Sequence, residues 1–441
     1  MPEAVRAATD LNTIAAGAAA GPGRVSTMVA GLTGSEILRI AGEIRALAAA
    51  GHTICDLTVG DFSPRQFPIP ALLEDGIHAA LRRGETNYPP SSGLAELREA
   101  VRRLYARELG LDYPVASVVI TGGSRPAIDA TYRTIVDPGD RVVYPVPSWN
   151  NNHYVHLVGG VGVPVRCGPE DRFLPRAEAL RPLLPGARLL ALNSPLNPAG
   201  TAFTAEALDG ICLLVLEENA RRASRGERPL YVMYDQVYWM LRFGGPPHVT
   251  PPALRPEIAA WTIFVDGISK AFAATGVRVG WTVGPADVVS RMSAVLGHMG
   301  AWAPRAEQAA TASLLEDSSA VAAFHSRFIP GLQVRLEHLH RGLQGLRRDG
   351  HAVDSTAPAG AIYLAARIHP FGRRTPEGVE LRSNEAIRQY LLARAGLAVV
   401  PFQAFGSTEE DGWFRLSVGA VSEAEIEAVL PRLREALSAL D

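Results

Sequence analysis

The chain has 441 residues, with 43 lysines and arginines against 45 aspartates and glutamates, a formal net charge of -2 at pH 7. Hydrophobic residues make up 47% and charged residues 20%, which suits a large folded core and excludes a disordered composition. The balanced charge gives no reason to expect nucleic acid or an anionic membrane as a partner, and no stretch reaches the roughly 18 unbroken apolar residues of a membrane span.

The length suits two domains. Residues 1–24 are rich in alanine and glycine but carry Glu3, Arg6 and Asp10, with no basic segment leading into a solid apolar run. They are expected to form a frayed tail rather than a signal peptide. Residues 25–74 are expected to supply an N-terminal arm and part of a small domain, 75–325 a large domain, and 326–441 the rest of the small one. From Ser117 onward, short β-branched runs alternate with helix-length segments. Strands are predicted at Ser117–Thr121, Arg141–Pro145, Arg188–Asn193, Leu230–Asp235, Thr262–Val265 and Val279–Val283. Apolar runs without clean alternation argue for a mostly parallel sheet covered on both faces, so the fold class is α/β with a three-layer α/β/α large domain.

The C-terminal part reads as a smaller α+β unit. Ser318–Arg348 has helical spacing, Gly360–Ala365 reads as a strand, and a helix follows at Ser383–Ala395. Strands at Leu397–Pro401 and Trp413–Val418 and a helix at Ser422–Leu440 complete it. The charged run from Glu217 to Arg228 reads as a solvated loop. Cys55, Cys167 and Cys212 lie far apart, without the spacing of a disulfide frame or a zinc site, which suits a reducing cytoplasm. His338 and His340 stand two apart on a helix and face different ways, so no metal is expected. Gly159-Gly160-Val161-Gly162 leads into a strand rather than a helix, and Gly-x-Ser-x-Gly is absent.

Four segments carry chemistry. Lys270 follows an apolar strand directly, where desolvation lowers an amine's pKa and makes it a nucleophile able to form a Schiff base; taken alone, a lysine at a strand end is more often a snorkelling surface residue. Asn193 to Thr201 closes a strand with the turn-forming run Asn197-Pro198-Ala199-Gly200. Asp235 ends the run Leu230–Asp235, where an acid is either a helix cap or a ligand group beyond the strand's carboxyl end. Gly122-Gly123-Ser124-Arg125 opens a helix, a geometry that offers backbone N–H groups to a phosphate.

Together these segments, from about Ser35 to the C-terminus, resemble the fold-type I, class I/II pyridoxal-phosphate-dependent aminotransferases. The resemblance implies that Lys270 holds pyridoxal 5′-phosphate covalently, that Arg278 grips its phosphate, and that Asp235 pairs with its pyridinium nitrogen. It places Tyr238 and Asn197 at the ring's phenolic oxygen, Trp149 of Pro147-Ser148-Trp149 on the ring face, and Gly123, Ser124, Arg125 and Ser269 around the phosphate. Tyr88, in Asn87-Tyr88-Pro89-Pro90, matches a tyrosine that reaches the partner subunit's phosphate, which implies a homodimer with shared active sites. Arg415, in Phe414-Arg415-Leu416-Ser417, matches the clamp on the substrate α-carboxylate, with Asn197 and with Gly60 of Val59-Gly60-Asp61-Phe62 nearby. Pro358 to Tyr363 and Pro401 to Gly406 resemble the two small-domain signatures.

The sequence departs from the family at Gln236, where Glu is usual, and at Gly267, where many relatives carry serine. Phe402 replaces a glycine, and the loop after Gly60 differs. The implied reaction moves an amino group from an L-amino acid to a 2-oxo acid. Arg125 occupies a place where an aspartate-using subgroup carries lysine, and Ser35 lines the same pocket, so aspartate or another dicarboxylic donor is expected, with 2-oxoglutarate as acceptor. Trp302, in the stretch containing His298 and Arg305, leaves open an aromatic or bulky donor. The same fold also serves lyases and synthases. A DNA-binding regulator built on this domain is disfavoured, because no helix-turn-helix pattern precedes Ser35.

Overall fold

The computed structural model describes residues 25–34, 36–245 and 247–441, so the expected tail, 1–24, and Ser35 lie outside the described residues. Thr27–Ala30 form one helical turn whose cap, Ser26 Oγ, accepts the Val29 N–H at 3.3 Å; they belong to a separate unit ending at Thr33. Gly34 onward forms one compact unit.

In that unit the strands are β1 (Cys55–Asp56), β2 (Val118–Thr121), β3 (Arg141–Val146), β4 (Val161–Arg166), β5 (Ala187–Asn193), β6 (Tyr231–Asp235) and β7 (Thr262–Gly267). There follow β8 (Gly280–Val283), β9 (Val353–Ser355), β10 (Tyr363–Ile368), β11 (Leu397–Ala398), β12 (Val400–Pro401) and β13 (Trp413–Ser417). The helices needed below are α1 (Glu36–Ala49), α2 (Ala95–Leu109), α3 (Ser124–Ile135), α4 (Ala205–Ala223) and α5 (Ser318–Arg348).

A seven-stranded sheet runs β2-β8-β7-β6-β5-β3-β4, parallel except for β8, which is antiparallel to both β2 and β7. The apolar strands are buried on both faces because successive side chains alternate between two cores. Val119, Val142, Leu189, Met233, Ile263 and Val265 pack on one side with α3. Ile120, Val143, Leu190, Val232, Tyr234 and Phe264 pack on the other with α2 and α4. This is the α/β architecture expected from the sequence.

A second sheet, β12-β13-β10-β9, is antiparallel throughout. It shares a core with Leu332, Leu336, Leu339, Leu343 and Leu346 of α5, a three-and-four spacing that lines one helix face. Short β1 pairs parallel with β11 and ties the segment after α1 to this region. Among the described residues no helix is long and apolar enough to cross a membrane.

Three expectations change. The Leu397–Pro401 run is broken at Val399 into β11 and β12, and the strand expected from Gly360 begins at Tyr363. The charged run from Glu217 is not a solvated loop. Its first half ends α4, where Glu218 and Arg222 are buried and paired at 2.7 Å. Arg222 also donates to the carbonyls of Arg228 and Leu184, and Asn219 clasps both backbone groups of Leu230. Charge density pointed to water, but the four-residue spacing of Glu218 and Arg222 on a helix lets the pair enter the core already satisfied.

Candidate active site

The carboxyl ends of the parallel strands converge on a cavity of about 620 Å3, the position where open α/β sheets bind ligands. Its walls include Gly60, Ser124, Arg125, Trp149, Asn197, Asp235, Tyr238, Ser269, Lys270, Arg278 and Arg415, nearly every residue singled out from the sequence. Each arrives by a short route from the sheet. Asn193 ends β5, and its Oδ1 accepts the Asn197 N–H at 2.7 Å. Asp235 ends β6. Lys270 sits in the single turn Ile268–Ala271 that follows β7.

The lysine Nζ donates to the Gly60 carbonyl at 2.5 Å and lies 5.9 Å from the Phe62 ring. Burial brings its pKa down to about 8; the Asp61 carboxylate opposes that shift, while Arg415, Arg125 and Arg278 add to it. Asp235 is 8% exposed, and one bond, from the Val237 N–H at 3.2 Å, serves its carboxylate; burial raises its pKa to about 7. A buried acid so poorly compensated matches a ligand that brings its own cationic donor.

The other end of the cavity is arranged for an anion. No side chain caps α3, so its first N–H groups are free, and Ser269 Oγ is buried without a partner. Arg278 is fixed by the carbonyls of Thr275 and Gly122, at 2.6 and 3.0 Å. Gly123 does not line the cavity. Its φ of +92° favours glycine, and a Cβ there would strain the backbone and push the Arg278 guanidinium from its place. Gly267 is explained similarly: a Cβ would lie 2.8 Å from the β8 backbone at Gly280, so a serine does not fit.

Arg415 reaches in from β13. It is 1% exposed, donates to Thr58 O at 2.6 Å and to Asn197 Oδ1 at 3.2 Å, and leaves Nε unpartnered. Its guanidinium lies 4.7 Å over the Tyr363 ring, and the Tyr363 and Tyr238 hydroxyls are 2.8 Å apart. Arg125 lies 5.2 Å over Trp149.

Gln236 has a reason to differ from glutamate. The Tyr105 hydroxyl donates to the buried Asp266 and accepts from Gln236 Nε2 at 3.2 Å and from Trp281 Nε1 at 3.4 Å. A carboxylate could not donate there. Phe402 packs on Phe173 and Trp413.

Some expected residues are elsewhere. Tyr88 does not line this cavity; it is 82% exposed and packs edge-on against Trp302. His298 and Trp302 do not line it either, and Arg305 is paired with Glu85. Asp61, bonded to Thr275, and Tyr363 also line the cavity; both lie inside recognisable motifs, but sequence reasoning assigned neither a role. Ile37, Leu38, Ala41 and Arg45 were missed as well; they put one face of α1 on the cavity, and their helical spacing was a usable signal.

The lysine's lowered pKa has a measurable consequence. Its amine is neutral above about pH 8, so the rate at which apo-protein captures pyridoxal phosphate, trapped by borohydride, is expected to rise through that pH and then level off. Asp61→Asn removes a charge that favours the protonated amine and should move the midpoint down. A wild-type rate still climbing above about pH 10, as for an exposed lysine, would contradict this account.

Residues 52–433 match the family model for aminotransferase class I and II. The aspartate aminotransferase of Rhizobium meliloti (strain 1021) is 30% identical over 409 residues, 92% of this chain and 94% of the relative. A probable aspartate/prephenate aminotransferase of Thermus aquaticus is 32% identical over 396 residues, 89% of this chain and 93% of the relative. Among solved structures, the Rhizobium meliloti aspartate aminotransferase superposes with a TM-score of 0.85 at 28% identity, covering 95% of this chain and 100% of its own. The Thermus thermophilus enzyme with maleate gives 0.82 at 29%, covering 94% and 99%.

The fold and the site define an enzyme that transfers amino groups between amino acids and 2-oxo acids with pyridoxal 5′-phosphate as cofactor. The chain belongs to the class I and II aminotransferase family.

Proposed function

We propose that the amino donor is L-aspartate or another dicarboxylic amino acid, with a 2-oxo acid such as 2-oxoglutarate as acceptor. The carrying observation is a surplus of cations in the cavity. Arg278 belongs to the phosphate end and Arg415 to the α-carboxylate, which leaves Arg125, 5.2 Å over Trp149, and Arg45 of α1 without an ion pair among the described residues. That the Thermus thermophilus neighbour is described with maleate, a dicarboxylate, supports this reading.

The residues suit the cofactor. The free N–H groups of α3, the unpartnered Ser269 Oγ and Arg278 would hold its phosphate. Asp235 would take its ring N–H, and Trp149 its ring face. Tyr238 and Asn197 would take its phenolic oxygen. Bound pyridoxal phosphate supplies the electron sink that acidifies the donor's Cα–H and carries the amino group.

The protein does the rest. Arg415 grips the α-carboxylate and orients Cα. Lys270 Nζ, neutral at moderately alkaline pH, accepts the proton leaving Cα and later returns it as general acid. Tyr363, stacked on Arg415, holds the guanidinium plane.

We further propose a cytoplasmic homodimer in which Tyr88 completes the partner's site. The 82% exposure of Tyr88 and its place outside its own cavity support the shared site, and the three buried free cysteines suit a reducing compartment.

L-Aspartate added to the holoenzyme without 2-oxo acid should replace the cofactor's visible band by the near-ultraviolet band of pyridoxamine phosphate. If alanine or phenylalanine makes that conversion and aspartate does not, the donor assignment falls. Arg125→Ala should raise KM about 10- to 100-fold for aspartate and less than about threefold for alanine. Equal effects on both would show that Arg125 does not read the side chain.

A further inference from the structure

A second cavity, of about 410 Å3, is walled by the residues that follow β6, the end of α2 and the first two turns of α5. Ser318, Val321, Ala322 and His325 present one face of α5 to it; Leu104, Trp239 and Met240 add apolar wall. The titratable side chains around it are two histidines, two arginines and a glutamate. Arg107 is paired with Glu108 at 2.7 Å. Burial lowers the pKa of His248 to about 3 and lowers that of His325 as well, so both rings are neutral at pH 7. Arg242 remains: it is half-buried, its Nε is enclosed without a hydrogen-bond partner, and it has no ion pair among the described residues. One uncompensated guanidinium in a mostly apolar cavity is costly unless an anion joins it.

We propose that this cavity is a second binding site, for a small organic carboxylate with an apolar or aromatic body. The carboxylate meets Arg242, where a planar fork suits it, and the body lies among Trp239, Met240 and Val321. The site is physically joined to the catalytic lysine. His325 Nε2 lies 2.8 Å from the carbonyl of Ala271, the residue after Lys270, and its ring stacks on Phe272 at 5.2 Å. On the same helix, Phe324 packs on Phe328 at 4.9 Å, Phe328 on Phe62 at 5.4 Å, and Phe62 lies 5.9 Å from Lys270 Nζ. An occupant touching His325 therefore bears on the turn that holds the lysine.

The probe is 4-bromobenzoate, titrated into the holoenzyme by calorimetry with saturating maleate present to occupy the dicarboxylate site. One equivalent per chain is expected to bind, with a Kd of about 1 mM for so small a ligand. Arg242→Met should weaken it tenfold or more, and so should replacing the probe by neutral 4-bromobenzamide. Crystals soaked with the probe should show bromine beside Arg242. Val321→Trp, which fills the cavity from the helix side, gives an independent variant in case Arg242→Met folds poorly, and it too should abolish binding. Absence of binding up to about 10 mM, equal binding of the amide, bromine located elsewhere, or affinity unchanged in the folded variants would each overturn the proposal.

Discussion

Lys270→Ala is expected to reduce turnover by at least about 10^4-fold, because one side chain performs both the covalent capture of the cofactor and the proton transfer at Cα. Its amine sits at the end of a buried strand, held by the Gly60 carbonyl and kept partly neutral by desolvation. Among the described residues no other lysine lines the cavity, so no other side-chain amine there can form the Schiff base in its place. The fold should survive, since the change removes one hydrogen bond and a costly buried amine. Borohydride reduction followed by peptide mass analysis should find the pyridoxyl group on the Lys270 peptide in the wild type and nowhere in the variant. Added methylamine should restore part of the proton transfer. Turnover within tenfold of wild type would falsify the assignment.

Arg415→Lys keeps the charge and loses the fork. The guanidinium is buried, donates in two directions, to Thr58 O and Asn197 Oδ1, and lies 4.7 Å over the Tyr363 ring and 4.9 Å over that of Phe405. An ammonium cannot span those partners while gripping a carboxylate in two places. A loss of about 10^2- to 10^3-fold in kcat/KM is expected, equivalent to about 3–4 kcal/mol. Every donor and acceptor carries an α-carboxylate, so the loss should be similar for aspartate and alanine. That pattern separates it from Arg125→Ala, which should discriminate between them. Steady-state kinetics with both donors decides; a loss confined to aspartate would move Arg415 to the side-chain end.

Much of the site was legible because its residues lie directly after strands. Lys270, Asp235 and Asn197 each follow an apolar run whose end is a natural ligand position, and the family resemblance supplied their roles. Gln236 and Gly267 looked like departures. Each became understandable once its surroundings were known: Gln236 donates to the Tyr105 hydroxyl, and the β8 backbone lies too close to Gly267 for a side chain. Tyr88 is a different case, since its motif assigns it to the partner's site and the chain's own cavity does not include it.

The amino-acid sequence by itself determined the α/β class, the order of strands and helices, and the strand-end positions of the chemical groups. Those follow from local periodicity, turn chemistry and the short distance between a strand's end and the residues after it. The tertiary structure alone decided that Arg415 from the second sheet, Asp61 and one face of α1 meet Lys270. It also decided that Glu218 and Arg222 enter the core as a pair and that Arg242 stands uncompensated. These contacts join residues far apart in the chain, and only packing, not local pattern, sets which of them touch and which charges find a partner.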